Sequence, residues 1–320
     1  MNLLVLGIAA AVLLAGRVSA DDPAGGGVAA TVGDDPIAAV EVQRLMAQVT
    51  RGKKMNPEAL PVLRAGVLEE LVARRLVLAY AQRTGSAATE TELAAARAQF
   101  KSSLALRRQT IAEWLKAQSL GEADLQRQLA WNVVWEKYAA RYLTAERIEA
   151  CFQSHHREWD ATELAVSHIL LRPSPGGGPG AAGELIKRAE SLRVEISSGK
   201  VSFAEAARRH SDGPSRQEGG RLGWIGRHGP MDEAFSRAAF ALEVGQVSPP
   251  VRTPFGVHLI RCDQVRPGTK KLSEVRKEVE DALSRELLEK LATLERRHTP
   301  VKYMGDWPHF KPGTHELAIP

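Results

Sequence analysis

The side chains capable of chemistry fall in a few places. His168 lies inside the apolar run Val166-Ser167-His168-Ile169-Leu170-Leu171, and His258 inside Phe255-Gly256-Val257-His258-Leu259-Ile260. Between them, His210 is followed by Ser211 and Asp212, and Thr253 precedes His258 by five positions. Histidine titrates near neutrality, so such a pair could serve as a base, as metal ligands or as a hydrogen-bonding scaffold, although a lone histidine on an apolar strand is more often a satisfied core residue. Hydrolysis has little behind it, because the chain contains neither a GxSxG nor an HExxH motif. His155 and His156 lie near Cys151, but adjacent histidines on a helix point apart and make a poor metal site. The two cysteines, Cys151 and Cys262, are too far apart for a CxxC motif; two separate thiols are expected, with a single disulfide as the alternative.

These groups need elements to hold them. Leu164 to Leu171 is a short, mostly apolar run ending at Arg172-Pro173, the pattern of a buried strand. Ser174 to Gly183 is rich in Gly and Pro and reads as a loop. A helix carrying Leu185, Ala189, Leu192 and Ile196 on one face stops at Gly199, and Ser202-x-x-Glu205 caps another that ends near His210. Arg221 to Ile225, a short helix around Asp232 to Leu242, and a strand from Phe255 to Cys262 complete an α+β segment over 163–264.

Residues 28–160 read as helical after a short apolar stretch, Val28 to Val32, and a turn at Gly33-Asp34-Asp35-Pro36. Leu68, Leu71, Val72, Leu76 and Ala79 form one stripe, while Leu93, Ala96, Phe100 and Leu104, and Leu125, Leu129 and Val133, line two further helices. Thr89-x-x-Glu92, Thr110-x-x-Glu113 and Ser119-x-x-Glu122 match capping boxes and mark three helix starts. In 270–303, Leu272, Val275, Val279, Leu283, Leu287, Leu291 and Leu294 recur at threes and fours. Such a stripe needs a partner. The expected arrangement packs this helix on the N-terminal helices, which makes the α+β segment an insertion; dimerisation with its own copy is the alternative. The tail 304–320 reads as irregular.

The chain has 320 residues with 44% hydrophobic and 25% charged, the composition of a globular protein of about two domains. The 43 Lys+Arg against 38 Asp+Glu are interspersed, so no nucleic-acid footprint is expected. Leu3 to Gly16 is an apolar run followed by Val18-Ser19-Ala20 before an acidic pair, which reads residues 1–20 as a signal peptide and the mature chain as exported, to the periplasm or beyond the cell. No stable membrane insertion is expected after cleavage. The n-region lacks Lys and Arg, so an uncleaved anchor stays open.

The ordered motifs of 163–264 resemble the parvulin family of peptidyl-prolyl cis/trans isomerases. They are Val166 to Leu171, His210-Ser211-Asp212-Gly213, Gly219 to Trp224, Met231 with Phe235 and Phe240-Ala241-Leu242, and Phe255 to Ile260. The resemblance implies an antiparallel sheet surrounded by helices. It also implies an apolar cup for the proline ring from Leu222, Met231 and Phe235 with Phe255 as a further wall, and a polar site from His168 and His258 joined by the Thr253 hydroxyl and faced by Ser211 and Asp212. No metal and no cofactor are implied. Gly213 stands where some parvulins carry cysteine, and Arg172 is the only base after the first strand, so neither a thiolate mechanism nor phosphoserine-proline selectivity is expected. The wider organisation resembles exported chaperone-isomerases of the SurA and PrsA type, which implies an α+β architecture: an all-helical chaperone-like domain completed by a C-terminal helix, with the parvulin domain inserted. The expected partners are unfolded, proline-containing polypeptides. A parvulin-fold holdase without useful catalysis is the alternative.

Overall fold

The computed structural model describes residues 27–50, 59–173, 181–229, 231–311 and 317–318. The expected signal peptide and most of the expected 174–183 loop lie outside these residues. The chain forms two compact units.

The first holds the N-terminal elements and the end of the chain. Strands β1 (Val28–Val32) and β2 (Asp35–Ala38) make a hairpin, followed by α1 (Ala39–Thr50), α2 (Leu60–Arg83), α3 (Glu90–Ala105), α4 (Ile111–Ala117), α5 (Glu122–Tyr142) and α6 (Ala145–Ser154), which runs on into the second unit. The stripe on α2 is buried as its spacing requires: Leu63, Val67, Leu68, Val72 and Leu76 pack with Ala30 and Ile37 of the hairpin and with Trp307. Further along α2, Val77 and Ala81 meet Val134 of α5 and Leu287, Leu288 and Leu291 of the C-terminal helix α11 (Leu272–Glu295), so α11 closes the helical core. Each such leucine is worth roughly 1.5–3 kcal/mol when taken from water. Glu295, 2% exposed, is held by Arg83 at 2.9 Å and by the Thr299 hydroxyl at 2.8 Å.

Four details differ from the sequence reading. The unit is not purely helical, since β1 pairs with β2 on one side and with β7 (Val301–Tyr303) on the other, Ala30 opposite Tyr303. The tail is accordingly less irregular than expected: Trp307 is buried in the core, and β8 (His309–Phe310) pairs with β9 (Leu317–Ala318). The Thr89 and Thr110 capping boxes form, but α5 is capped two residues later than expected, with the Asp124 carboxylate accepting from the Gly121 amide at 2.9 Å rather than Glu122 pairing with Ser119. On α5, Val134 is the buried valine and Val133 is half-exposed.

The second unit begins within α6, passes through the turn of helix α7 (His156–Trp159), and contains the α+β segment. Its elements are β3 (Glu163–Leu171), α8 (Ala181–Ser197), α9 (Phe203–His210), a 3-10 turn at Pro214–Glu218, β4 (Arg221–Gly226), α10 (Glu233–Phe240), β5 (Val251–Thr253) and β6 (Gly256–Arg266). The strands form one antiparallel sheet in the order β4-β3-β6-β5. Alternation assigns the faces. Ile169, Leu171, Val257 and Leu259 pack beneath α8 and α9, against Ala189, Leu192, Phe203 and Ala206. Leu164, Val166, Ile260 and Cys262 point to the other face, under Phe235, Ala239 and Phe240 of α10. Neither Cys151 nor Cys262 is in a disulfide.

Candidate active site

His168 and His258 share the parity of Val166 and Ile260, so period-two alternation turns both toward α10. In the β3–β6 register Leu170 stands opposite His258 and His168 opposite Ile260, which makes the histidines diagonal neighbours on one face. Their Nδ1 atoms are 3.3 Å apart and their ring centroids 5.5 Å apart. Phe235 of α10 meets both edge-on, at 5.8 Å from His168 and 5.3 Å from His258.

Both rings are buried. Burial lowers the pKa of each, because an imidazolium would lose its hydration; His258 falls to about 3 through burial, with the charges of His168 and Arg172 adding to the effect. The pair is therefore neutral at pH 7, and one Nδ1–H donates to the other ring's bare Nδ1. A ring this reluctant to take a proton is a poor general base at neutral pH, where the best base has a pKa near the working pH.

Thr253 was expected to join the two histidines, but its hydroxyl touches only His258, at 2.8 Å from Nε2. The histidines bond to each other directly because the diagonal pairing already brings their Nδ1 atoms into reach. The hydroxyl also accepts the Phe255 amide at 3.1 Å, so it fastens His258 to the β5–β6 turn. Ser211 and Asp212 tie the loop after α9 to β3. The Ser211 hydroxyl accepts the amides of Leu170 and Gly213, each at 3.1 Å, and Asp212 accepts the Arg172 amide at 2.9 Å.

Two glycines set this geometry. Gly220, at φ +86°, accepts the His168 amide at 2.8 Å, and a Cβ there would lie 2.3 Å from the His168 carbonyl oxygen. Only glycine permits that approach. Gly213 has an ordinary backbone conformation, but a Cβ on it would come within 3.1 Å of His168 Nε2 and 3.3 Å of the Ser211 hydroxyl. His168 Nε2 itself is buried with no hydrogen-bond partner among the described residues. The double glycine 219–220 is visible in the sequence; its contact with His168 is not, because it depends on the pairing of distant segments.

The apolar side of the site is graded in exposure. Phe235 is buried as the floor, while Leu222 and Met231 pack against the same cluster and stay partly open. Phe255, 61% exposed, stands on the β5–β6 turn. The structure thus brings His168, His258, Thr253 and Phe235 together around one centre, and it places Leu222 and Met231 on that centre's apolar cluster. Ser211 and Asp212 act on the backbone beside it. A partly open apolar surface beside an uncharged hydrogen-bonded pair suits an apolar ring next to a rotating carbonyl better than it suits charge transfer.

Comparison with known proteins adds to this geometry. Residues 168–264 match the family model of the PPIC-type PPIase domain, and residues 1–139 match that of the SurA-like N-terminal domain. The foldase protein PrsA of Bacillus subtilis is 35% identical over 177 residues, which cover 55% of this chain and 53% of that protein. The chaperone SurA of Alkalilimnicola ehrlichii is 27% identical over 292 residues, 84% of this chain and 64% of the relative. The chaperone SurA of Methylobacillus flagellatus is 27% identical over 239 residues, 72% and 54% respectively. The chain thus spans between 53% and 64% of the length of these curated relatives.

Proposed function

Because the chain joins a parvulin-type isomerase domain to a SurA-like N-terminal domain, the arrangement of the chaperone-isomerases, we propose that it accelerates cis/trans isomerisation of X-Pro bonds in unfolded polypeptides, which its helical unit holds. The observation that carries this reading is the neutral His168–His258 pair beside the apolar cluster of Phe235, Leu222 and Met231.

Prolyl bonds interconvert slowly because the amide loses its resonance at a barrier of about 18–20 kcal/mol. A ten-thousandfold acceleration needs only roughly 5–6 kcal/mol of that barrier. No proton has to move. The partly open walls, Leu222 and Met231, grip the ring over the Phe235 floor, and the preceding carbonyl swings beside this apolar surface, where the twisted amide, having lost its resonance dipole, costs less relative to the planar one than it does in water. His168, His258 and Thr253 keep the polar wall in one arrangement, so little energy is spent on reorganising it as the amide turns.

Export belongs to the same proposal, on the strength of the apolar run 3–16 and the small residues before Asp21. Among the described residues no helix is long and apolar enough to cross a membrane. The test is the relaxation of a proline peptide, displaced from its cis/trans equilibrium, in the presence of the purified chain. Faster relaxation at micromolar protein is expected. A folded chain that suppresses client aggregation but leaves the uncatalysed rate unchanged would instead establish the holdase.

A further inference from the structure

Within the helical unit, α1, α2, α4 and α5 line a half-open cavity of about 140 Å³. That is on the scale of the roughly 150 Å³ space that admits a benzene ring, so it suits one side chain rather than a length of backbone. Four guanidinium groups line it: Arg44, Arg74, Arg75 and Arg127.

Three of the four are matched. Arg75 lies between Asp35 at 2.9 Å and Glu41 at 2.7 Å, Arg74 bonds Glu70 at 2.9 Å, and Arg127 bonds Asp124. The two lining carboxylates are likewise committed. Glu41 accepts the Ala38 amide at 3.1 Å as well as Arg75, and Asp124 accepts the Gly121 amide as well as Arg127. Arg44 is different. It donates Nη2 to the Gln118 carbonyl at 2.9 Å and meets no carboxylate within ion-pair distance among the described residues. Burial lowers its pKa, outweighing the pull of Glu41 and Asp124, as expected for a cation whose lost hydration is incompletely replaced. One wall is fixed in advance: Trp131 stacks on Trp135 at 5.1 Å and carries Arg74 at 5.4 Å. A preformed wall lowers the ordering cost of binding.

We propose that this cavity is a subsite for one carboxylate-bearing residue of an unfolded polypeptide, its carboxylate seated on Arg44 and its carbon chain against Leu45 and Leu78. The inference rests on the client-binding role proposed above and adds a chemical preference to it. A guanidinium presents its remaining N–H donors in a planar fork that matches a carboxylate. Phosphate or sulfate would meet the same donors but bring nothing for the apolar wall.

The test uses the full chain and short, proline-free fluorescent peptides with both ends capped, one bearing a single Glu and its twin bearing Gln at that position. Fluorescence anisotropy is expected to show the Glu peptide bound about tenfold tighter, as suits a charge-assisted bond to a partly buried guanidinium. Arg44→Gln should bring the two affinities together. A Gln peptide with a free C-terminal carboxylate identifies the source: tighter binding than its amidated form extends the seat to chain termini, and no gain restricts it to side chains. Equal affinities for the Glu and Gln peptides in the wild-type chain would overturn the proposal while leaving client binding intact. So would a Glu preference that survives Arg44→Gln. Binding of neither peptide would overturn the client-binding reading along with this one. The wild-type comparison needs no variant, so it stands even if Arg44→Gln folds poorly.

Discussion

Acid should unfold the α+β unit through its histidine pair. His258 is 5% exposed, and burial brings its pKa from 6.5 to about 3; His168 is lowered as well, by burial. The groups bearing on His258 are His168 from β3, Arg172 just beyond β3, and the uncharged Thr253 from β5. Both folded values lie below the unfolded one, so between them the unfolded state binds more protons than the folded state. Stability is then intact above about pH 6.5, is lost progressively as the pH falls below it, and reaches its full loss only near pH 3. For His258 alone the loss is about 2 kcal/mol at pH 5 and approaches about 5 kcal/mol at the limit, from about 1.36 kcal/mol per pKa unit. The assay is urea unfolding of the full chain at pH 7.5 and pH 5, followed by hydrogen exchange in β3 and β6, with His258→Gln in parallel. The variant loses a hydrogen bond at every pH, so the informative quantity is the change between the two pH values. The wild type should lose about 2 kcal/mol more than the variant between them. If both lose the same amount, or if the His258 ring titrates near 6.5 by NMR, the buried neutral pair is wrong.

Two further outcomes follow from the packing. Gly213→Ala places a methyl group 3.1 Å from His168 Nε2 without straining the backbone, so the fold should persist while kcat/KM for a proline peptide falls by about tenfold through displacement of the ring; unchanged kinetics would show that the ring position does not matter. Leu287→Ala removes a buried side chain from the cluster it shares with Val77 and Val134, and should cost about 2–5 kcal/mol, read as lost hydrogen-exchange protection in α2 and α5. Undiminished protection there would mean that α11 does not close the helical core.

The parts of this architecture that were legible in the sequence are those set by near neighbours. The Thr89, Thr110 and Ser202 caps involve residues three apart, and the α2 stripe follows from a helical period along one element. The two histidines each lie in a recognisable apolar run, but it is the resemblance of 163–264 to the parvulins, not periodicity, that pairs them. What escaped depends on partners far along the chain. β1 pairs with β7 across some 270 positions, which no periodicity announces, and the burial of Trp307 follows from that closure. Thr253 meets His258 but not His168, because the diagonal register of β3 and β6, which the sequence does not reveal, already joins the two histidines directly. The Ser119 cap failed because the motif alone could not show that Ser119 takes φ +51°, leaving Gly121 and Asp124 to start the helix.

In the proposed reaction an apolar grip on the proline ring, set against an uncharged histidine scaffold, performs the catalysis. Its most direct measurement is kcat/KM of the full chain on one X-Pro peptide for the wild type, Met231→Ala and His258→Gln, each confirmed folded. Expected are measurable acceleration by the wild type, a loss of about tenfold or more on trimming the Met231 wall, and a smaller loss on replacing His258. A larger loss for His258→Gln than for Met231→Ala would contradict it, and a folded wild-type chain that leaves the spontaneous rate unchanged would remove the enzyme altogether.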